Sequence, residues 1–110
     1  MQIDIHAHGL PLTPGVREHV EQRLRFALGR FSGSIARVAV SLADASGPRG
    51  GPDKECRIQV SLPPTVVLIK DVGGDLETVV DRAANRASRS ASRELDRRRT
   101  RWHSTSSENR

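Results

Sequence analysis

Hydrophobic and polar positions alternate over Gln2–His8, with Ile3, Ile5 and Ala7 on one side and Gln2, Asp4, His6 and His8 on the other. That is the period of a half-buried strand. The period changes after Leu12. Thr13-Pro14 sets a capping hydroxyl before a proline at the first helical position, and Val16, Val20, Leu24, Ala27 and Phe31 make the inner stripe of a helix running to about Phe31. Alternation returns over Ile35–Ala43, with Val38, Val40 and Leu42 inward, and over Lys54–Leu62, with Cys56, Ile58, Val60 and Leu62 inward. Between them Gly47-Pro48-Arg49-Gly50-Gly51-Pro52 cannot continue a strand and predicts a mobile hairpin loop. Pro63-Pro64 turns the chain, Val66–Lys70 predicts a short fourth strand, and Gly73-Gly74-Asp75 opens a last helix with Asp75 as its capping carboxylate. Residues 102–110 carry no period and predict a disordered tail, leaving one domain over residues 1–101.

The order β-α-β-β-β-α predicts an α+β fold, a two-layer sandwich in which a four-stranded sheet carries both helices on one face. The outward faces of the two helices are then expected to form one continuous surface. The inward positions predict a core of Ile3, Ile5, Val20, Leu24, Val38, Val40, Ile58, Val60, Val80 and Ala87. With Phe26, Phe31 and Trp102 the only aromatic residues among 110, that core is aliphatic. This length suits a single domain.

The last helix is unusual on its wet side. Arg82, Arg86, Arg89, Arg93 and Arg97 follow at steps of four, three, four and four. At roughly 100° per residue they fall within about 80° of arc. Val80, Ala83, Ala84, Ala87, Ala91 and Leu95 point the other way. Like charges this close repel along a helix, and a polyanion relieves the repulsion; guanidinium is suited to that task because it stays charged and pairs bidentately with phosphate. The chain carries a net charge of +5, and lysine occurs only at 54 and 70. An ordinary solvated basic face is the competing account of the stripe. It does not call for so few acidic residues nearby or for arginine in place of lysine. The balance indicates an acidic partner, nucleic acid first.

Other side chains are candidates for the same partner. The outer arc of the first helix offers His19, Gln22, Arg23, Phe26 and Arg30. Phe26 lies off the inner stripe, so it either stacks on a base or packs on the second helix or a neighbouring molecule. Lys70 stands near the start of the basic helix, and Arg49 with Lys54 either reaches an RNA groove or only solubilises the loop. His6 and His8 share a strand face but have no further ligand at helpful spacing, so no metal is expected. Cys56 alternates with Ile58 and Val60 and reads as a buried structural thiol. No nucleophile–base pair, carboxylate pair or phosphate-binding glycine loop is visible, so neither catalysis, cofactor nor small-molecule substrate is expected. One cysteine, no leader and no apolar run of membrane length fit a cytoplasmic protein.

In order, these segments resemble the hibernation-promoting factor family, the ribosome-associated inhibitors also described as sigma-54 modulation proteins. The resemblance rests on Met1-Gln2-Ile3-Asp4-Ile5, on Leu12 to Val20, on Gly47 to Ile58, and on Asp75-Leu76-Glu77-Thr78-Val79-Val80-Asp81 before a basic helix. It covers residues 1 to about 100, with Glu77 where the family usually has Tyr. It implies a fold similar to double-stranded RNA-binding domains. It also implies binding to the small ribosomal subunit and the 70S ribosome, on 16S rRNA in the mRNA/tRNA channel, blocking translation sterically in stationary phase or stress. The rRNA contacts are then expected from Arg82, Arg86, Arg89, Arg93, Arg97, Arg23, Phe26, Arg30 and Lys70. Ending before the second, dimerising domain of long-form members, the chain is expected to be a monomer off the ribosome. The alternative is a protein-interaction regulator whose basic helix meets an acidic protein surface.

Overall fold

The computed structural model describes residues 1–44 and 54–108, residues 100–108 as backbone alone. The elements are β1 (Gln2–His8), α1 (Pro14–Leu28), a 3-10 turn (Gly29–Phe31), β2 (Arg37–Asp44), β3 (Lys54–Leu62), β4 (Thr65–Gly73) and α2 (Leu76–Glu108). The order is β-α-β-β-β-α, the α+β arrangement expected from the periodicity. The loop expected at 47–52, with Arg49, lies outside the described residues.

The strands lie side by side in chain order, β1 parallel to β2 and the other pairs antiparallel. A parallel pair needs a crossover, and α1 supplies it. Ile5, Val40, Ile58 and Ile69 stand in one register row, and all four are buried beneath the helices. Val20, Leu24 and Leu28 of α1 and Val79, Val80, Ala83, Ala84, Ala87 and Ala91 of α2 join them in one cluster, so both helices cover the same sheet face. The alanines keep α2 close to the strands. Of the expected core, Ile3 alone is only half-buried, because β1 is an edge strand.

Local chemistry sets the ends of the helices. Thr13 Oγ1 accepts from the Val16 amide at 3.2 Å, and Pro14 follows it in the first turn. The α-helix stops at Leu28, short of the expected Phe31, because the chain tightens into a 3-10 turn at Gly29, where Ser32 N–H reaches the Gly29 carbonyl at 3.1 Å. Asp75 caps α2 by accepting from the Thr78 amide at 3.0 Å and its hydroxyl at 2.7 Å. β4 extends beyond the expected 66–70 to Gly73, which pairs with Lys54, since β3 offers a partner along its whole length. At the other end α2 continues past Trp102 to Glu108, into the expected tail; no glycine or proline in 102–108 interrupts the backbone ladder, and each added residue gains a hydrogen bond.

Candidate nucleic-acid interface

The row of Arg82, Arg86, Arg89, Arg93 and Arg97 lies on the flank of α2 that overhangs β4. Arg82 donates from Nε and Nη2 to the two oxygens of Asp71, at 3.3 and 3.2 Å, and from Nη2 to the Val72 carbonyl at 3.0 Å. Gly73 makes room for it: a Cβ there would stand 2.8 Å from Arg82 Nη2 and from Val79 Cγ2. Arg86 donates to the Lys70 carbonyl at 2.7 Å, and its Nη1 lies 3.9 Å from Asp71. Arg89 has no polar partner among the described residues. Arg93 has only the Ser90 hydroxyl among them, at 3.4 Å. Arg97 pairs with Glu94 at 2.8 Å. Among the described residues two carboxylates on this flank, Asp71 and Glu94, thus face five guanidinium groups, and the middle of the row is uncompensated.

Glu94 anchors the far end of the row. It is buried and accepts from Arg97, from Arg98 at 3.0 Å and from Thr65 Oγ1 at 3.2 Å, while Arg98 also donates to the Leu62 carbonyl. The Arg97 hydrogen bond holds its carboxyl below the ordinary range; burial opposes this, and Arg98 and Thr65 reinforce it.

The α1 candidates lie across α2 from this row. Arg23 Nε is 3.0 Å from Asp81 Oδ1 but off the hydrogen-bond direction, so the contact is one of charge, while its Nη2 donates to Asn85 at 3.3 Å. His19 meets the same Asp81 oxygen at 3.1 Å. Asp81 and Asn85 face α1, whereas Arg82 and Arg86 face β4. The continuous outer surface expected from the two helices is therefore crossed by an acidic and amide seam that separates the arginine row from the α1 candidates. Steps of one residue turn a helix by about 100°, which puts Asp81 and Arg82 on different flanks. Phe26 is 83% exposed, so it does not pack on α2, and Arg23 stands 5.7 Å from its ring centroid. Arg30 lies over Phe31 at 4.6 Å. Lys70 departs most from expectation. Its carbonyl meets Arg86, but its ammonium is on the open sheet face, 3.2 Å from Glu55, because even-numbered β4 side chains point away from the helices.

The family model described as sigma 54 modulation protein / S30EA ribosomal protein matches residues 3–99. The chain belongs to this family. No curated protein matches it significantly. Among solved structures, this S30EA-family chain is similar to a ribosomal subunit interface protein from Coxiella burnetii, at 18% identity, over 87% of this chain and 99% of that one, with a TM-score of 0.74. It is also similar to the N-terminal domain of Protein Y from Thermus thermophilus, at 26% identity, over 84% of this chain and 98% of that one, with a TM-score of 0.71.

Sequence reasoning about this S30EA-family chain missed the carboxylates that organise the arginines. Glu94 was open to discovery, since Arg97 and Arg98 follow it at helix spacing. Asp71 and Asp81 had no such signal; their partners lie on other elements. Among the described residues no helix is long and apolar enough to cross a membrane, and no cluster of three His, Cys, Asp or Glu residues stands ready for a metal.

Proposed function

We propose that this protein is a non-enzymatic, cytoplasmic ribosome-associated factor that binds rRNA of the small subunit through the exposed flank of α2 and blocks the mRNA/tRNA channel sterically during stationary phase or stress. The observation that carries this reading is the uncompensated charge at Arg89 and Arg93, midway along a row from Arg82 to Arg97 that spans about 22 Å at 1.5 Å per residue. A row of that length offers successive guanidinium groups to successive phosphates. Family membership supports the reading, and so does the resemblance carried by Met1–Ile5, Leu12–Val20 and Asp75–Asp81. Arg82, Arg86 and Arg97 already have partners in the chain, and they join the contact by exchanging a carboxylate or carbonyl for a phosphate. Phe26 and Arg30 belong to a second, smaller contact on the α1 side, and Arg23 serves the seam first. Blocking needs no chemistry, only a folded domain held where mRNA and tRNA pass. The test is co-sedimentation of the purified protein with 30S subunits and 70S ribosomes, in competition with mRNA. Binding that is lost when Arg89 and Arg93 are reversed supports the proposal. Binding that ignores both residues, or co-purification with a non-ribosomal acidic protein alone, overturns it.

A further inference from the structure

β4 is an edge strand, and only half of its outer edge is closed. Ala36 N–H reaches the Ser61 carbonyl at 2.9 Å, so odd-numbered β3 residues point their backbone groups toward β2 and even-numbered ones toward β4. Through the register Ile58–Ile69 and Val60–Val67, the odd-numbered β4 residues are bonded to β3. Val66, Leu68, Lys70 and Val72 therefore point their N–H and C=O groups outward. The C-terminal half of this edge is covered: Asp71 Oδ1 accepts the Val72 amide at 2.8 Å, Arg82 donates to the Val72 carbonyl, and Arg86 donates to the Lys70 carbonyl. Val66 and Leu68 have no partner for these groups among the described residues. Their side chains, 49% and 71% exposed, lie on the open sheet face. An uncovered edge with apolar side chains is a template for another strand.

The surroundings select the occupant. α2 runs antiparallel to β4, with Arg82 at Val72, Arg86 at Lys70 and Glu94 at Thr65. Arg89 and Arg93 consequently overhang the stretch that holds Val66 and Leu68, without a carboxylate partner among the described residues. In an antiparallel fifth strand, residues opposite Val66 and Leu68 share their apolar face, and the residues between them rise toward Arg89 and Arg93. A second copy of this chain would bring two arginine rows together and be repelled. We propose that the open half of the β4 edge docks an extended peptide segment of alternating acidic and apolar residues, added antiparallel as a fifth strand. This goes beyond the ribosome reading and does not depend on it, although RNA on Arg89 and Arg93 competes with such a peptide.

The probe is a capped synthetic peptide of alternating valine and glutamate, titrated against the whole chain with amide hydrogen exchange read by NMR. Binding is expected to slow exchange at Val66 and Leu68. N-methylation of the valines, whose N–H groups face β4, is expected to weaken binding by about tenfold or more, and N-methylation of the glutamates, whose N–H groups face away, to leave it unchanged. Arg93→Glu weakens binding as well. Leu68→Pro abolishes it, with the β3 ladder intact because the lost N–H points outward. Equal binding of the two methylated peptides, or no protection at Val66 and Leu68, overturns the proposal by reducing it to charge attraction. Self-association that protects these amides without peptide assigns the edge to a second copy instead, and overturns the choice of partner.

Discussion

Arg23 brings its Nε within 3.0 Å of Asp81 Oδ1, across the line where α1 meets α2. The same oxygen lies 3.1 Å from His19, one turn earlier on α1. One carboxylate thus ties two turns of α1 to α2, and an arginine expected to face RNA is held in the seam. Asp81→Ala leaves the buried Arg23 Nε beside no charge. The contact is partly exposed, so the expected loss of stability is about 1 kcal/mol, read as a lower urea midpoint at unchanged slope.

The division of arginines by partner gives the sharpest binding test. Arg89→Glu with Arg93→Glu reverses the uncompensated charges and, among the described residues, touches no internal bond except the weak Arg93–Ser90 contact. Association with 30S subunits should fall by about 100-fold or more, with an unchanged circular dichroism spectrum. Arg86→Glu is a poorer probe, because it removes the bond to the Lys70 carbonyl and brings a carboxylate toward Asp71. Arg23→Ala should change stability more than binding.

The fold was legible because short-range patterns and the tertiary demand agree. Alternation at Ile58, Val60 and Leu62 and helical spacing at Val80, Ala83 and Ala87 each identify a buried face without knowledge of the other. The arginine row was legible for the same reason, since helix spacing alone aligns it. Its neighbours were not. Asp71 meets Arg82 only because β4 runs three residues past its expected end at Lys70, and Lys70 leaves the helix side because strand parity turns it over. Which flank of α2 meets α1 is decided by packing, and that decision put the Asp81 and Asn85 seam across the expected continuous surface.

Acid should weaken the fold through its paired carboxylates. Glu94 is held below its ordinary value of 4.5, by Arg97 first, against burial, and then by Arg98 and Thr65. Asp75 is held below 3.8 by the Thr78 hydroxyl and amide, and Asp4 by the Arg37 hydrogen bond. A folded value below the unfolded one gives stability that is complete above the unfolded value and is lost as pH falls through the folded value. The urea midpoint should be flat near neutrality and decline below about pH 4.5. Glu94→Gln should lower the midpoint at pH 7 and make the decline shallower. A variant that keeps the full acid dependence would remove Glu94 from the account.

Cys56 should be silent in the folded state. Burial, then the charges of Asp71 and Glu55, push its thiol up to about 12, leaving almost no thiolate at pH 8. A disulfide reagent at that pH should react only at the rate of unfolding, and promptly in denaturant. Fast labelling of the native protein would show that the helices lift from the sheet far more readily than the buried position of Cys56 allows.

Salt dependence separates the arginines that hold phosphate from those that hold the protein together. Each phosphate neutralised releases condensed counterions, and log affinity falls by roughly 0.7 to 0.9 per contact for each unit of log salt. If Arg89 and Arg93 alone reach phosphate, the slope for 30S binding is about −1.4 to −1.8; if Arg82, Arg86 and Arg97 leave their internal partners and join, it is about −3.5 to −4.5. Asp71→Asn frees Arg82 and Arg86 from their shared carboxylate. In the first case it should steepen the slope by up to two contacts, and in the second it should raise affinity with little change in slope. Phe26→Ala supplies the uncharged comparison. The ring is almost wholly exposed, so stability should stay within about 0.5 kcal/mol. If the ring stacks on a base, binding should weaken by about 1–3 kcal/mol while the salt slope is preserved. The measurement is a titration of purified 30S subunits over a salt series at fixed Mg²⁺. A slope near zero in the wild-type protein would remove phosphate from the interface and move the partner of α2 from rRNA to an acidic protein surface.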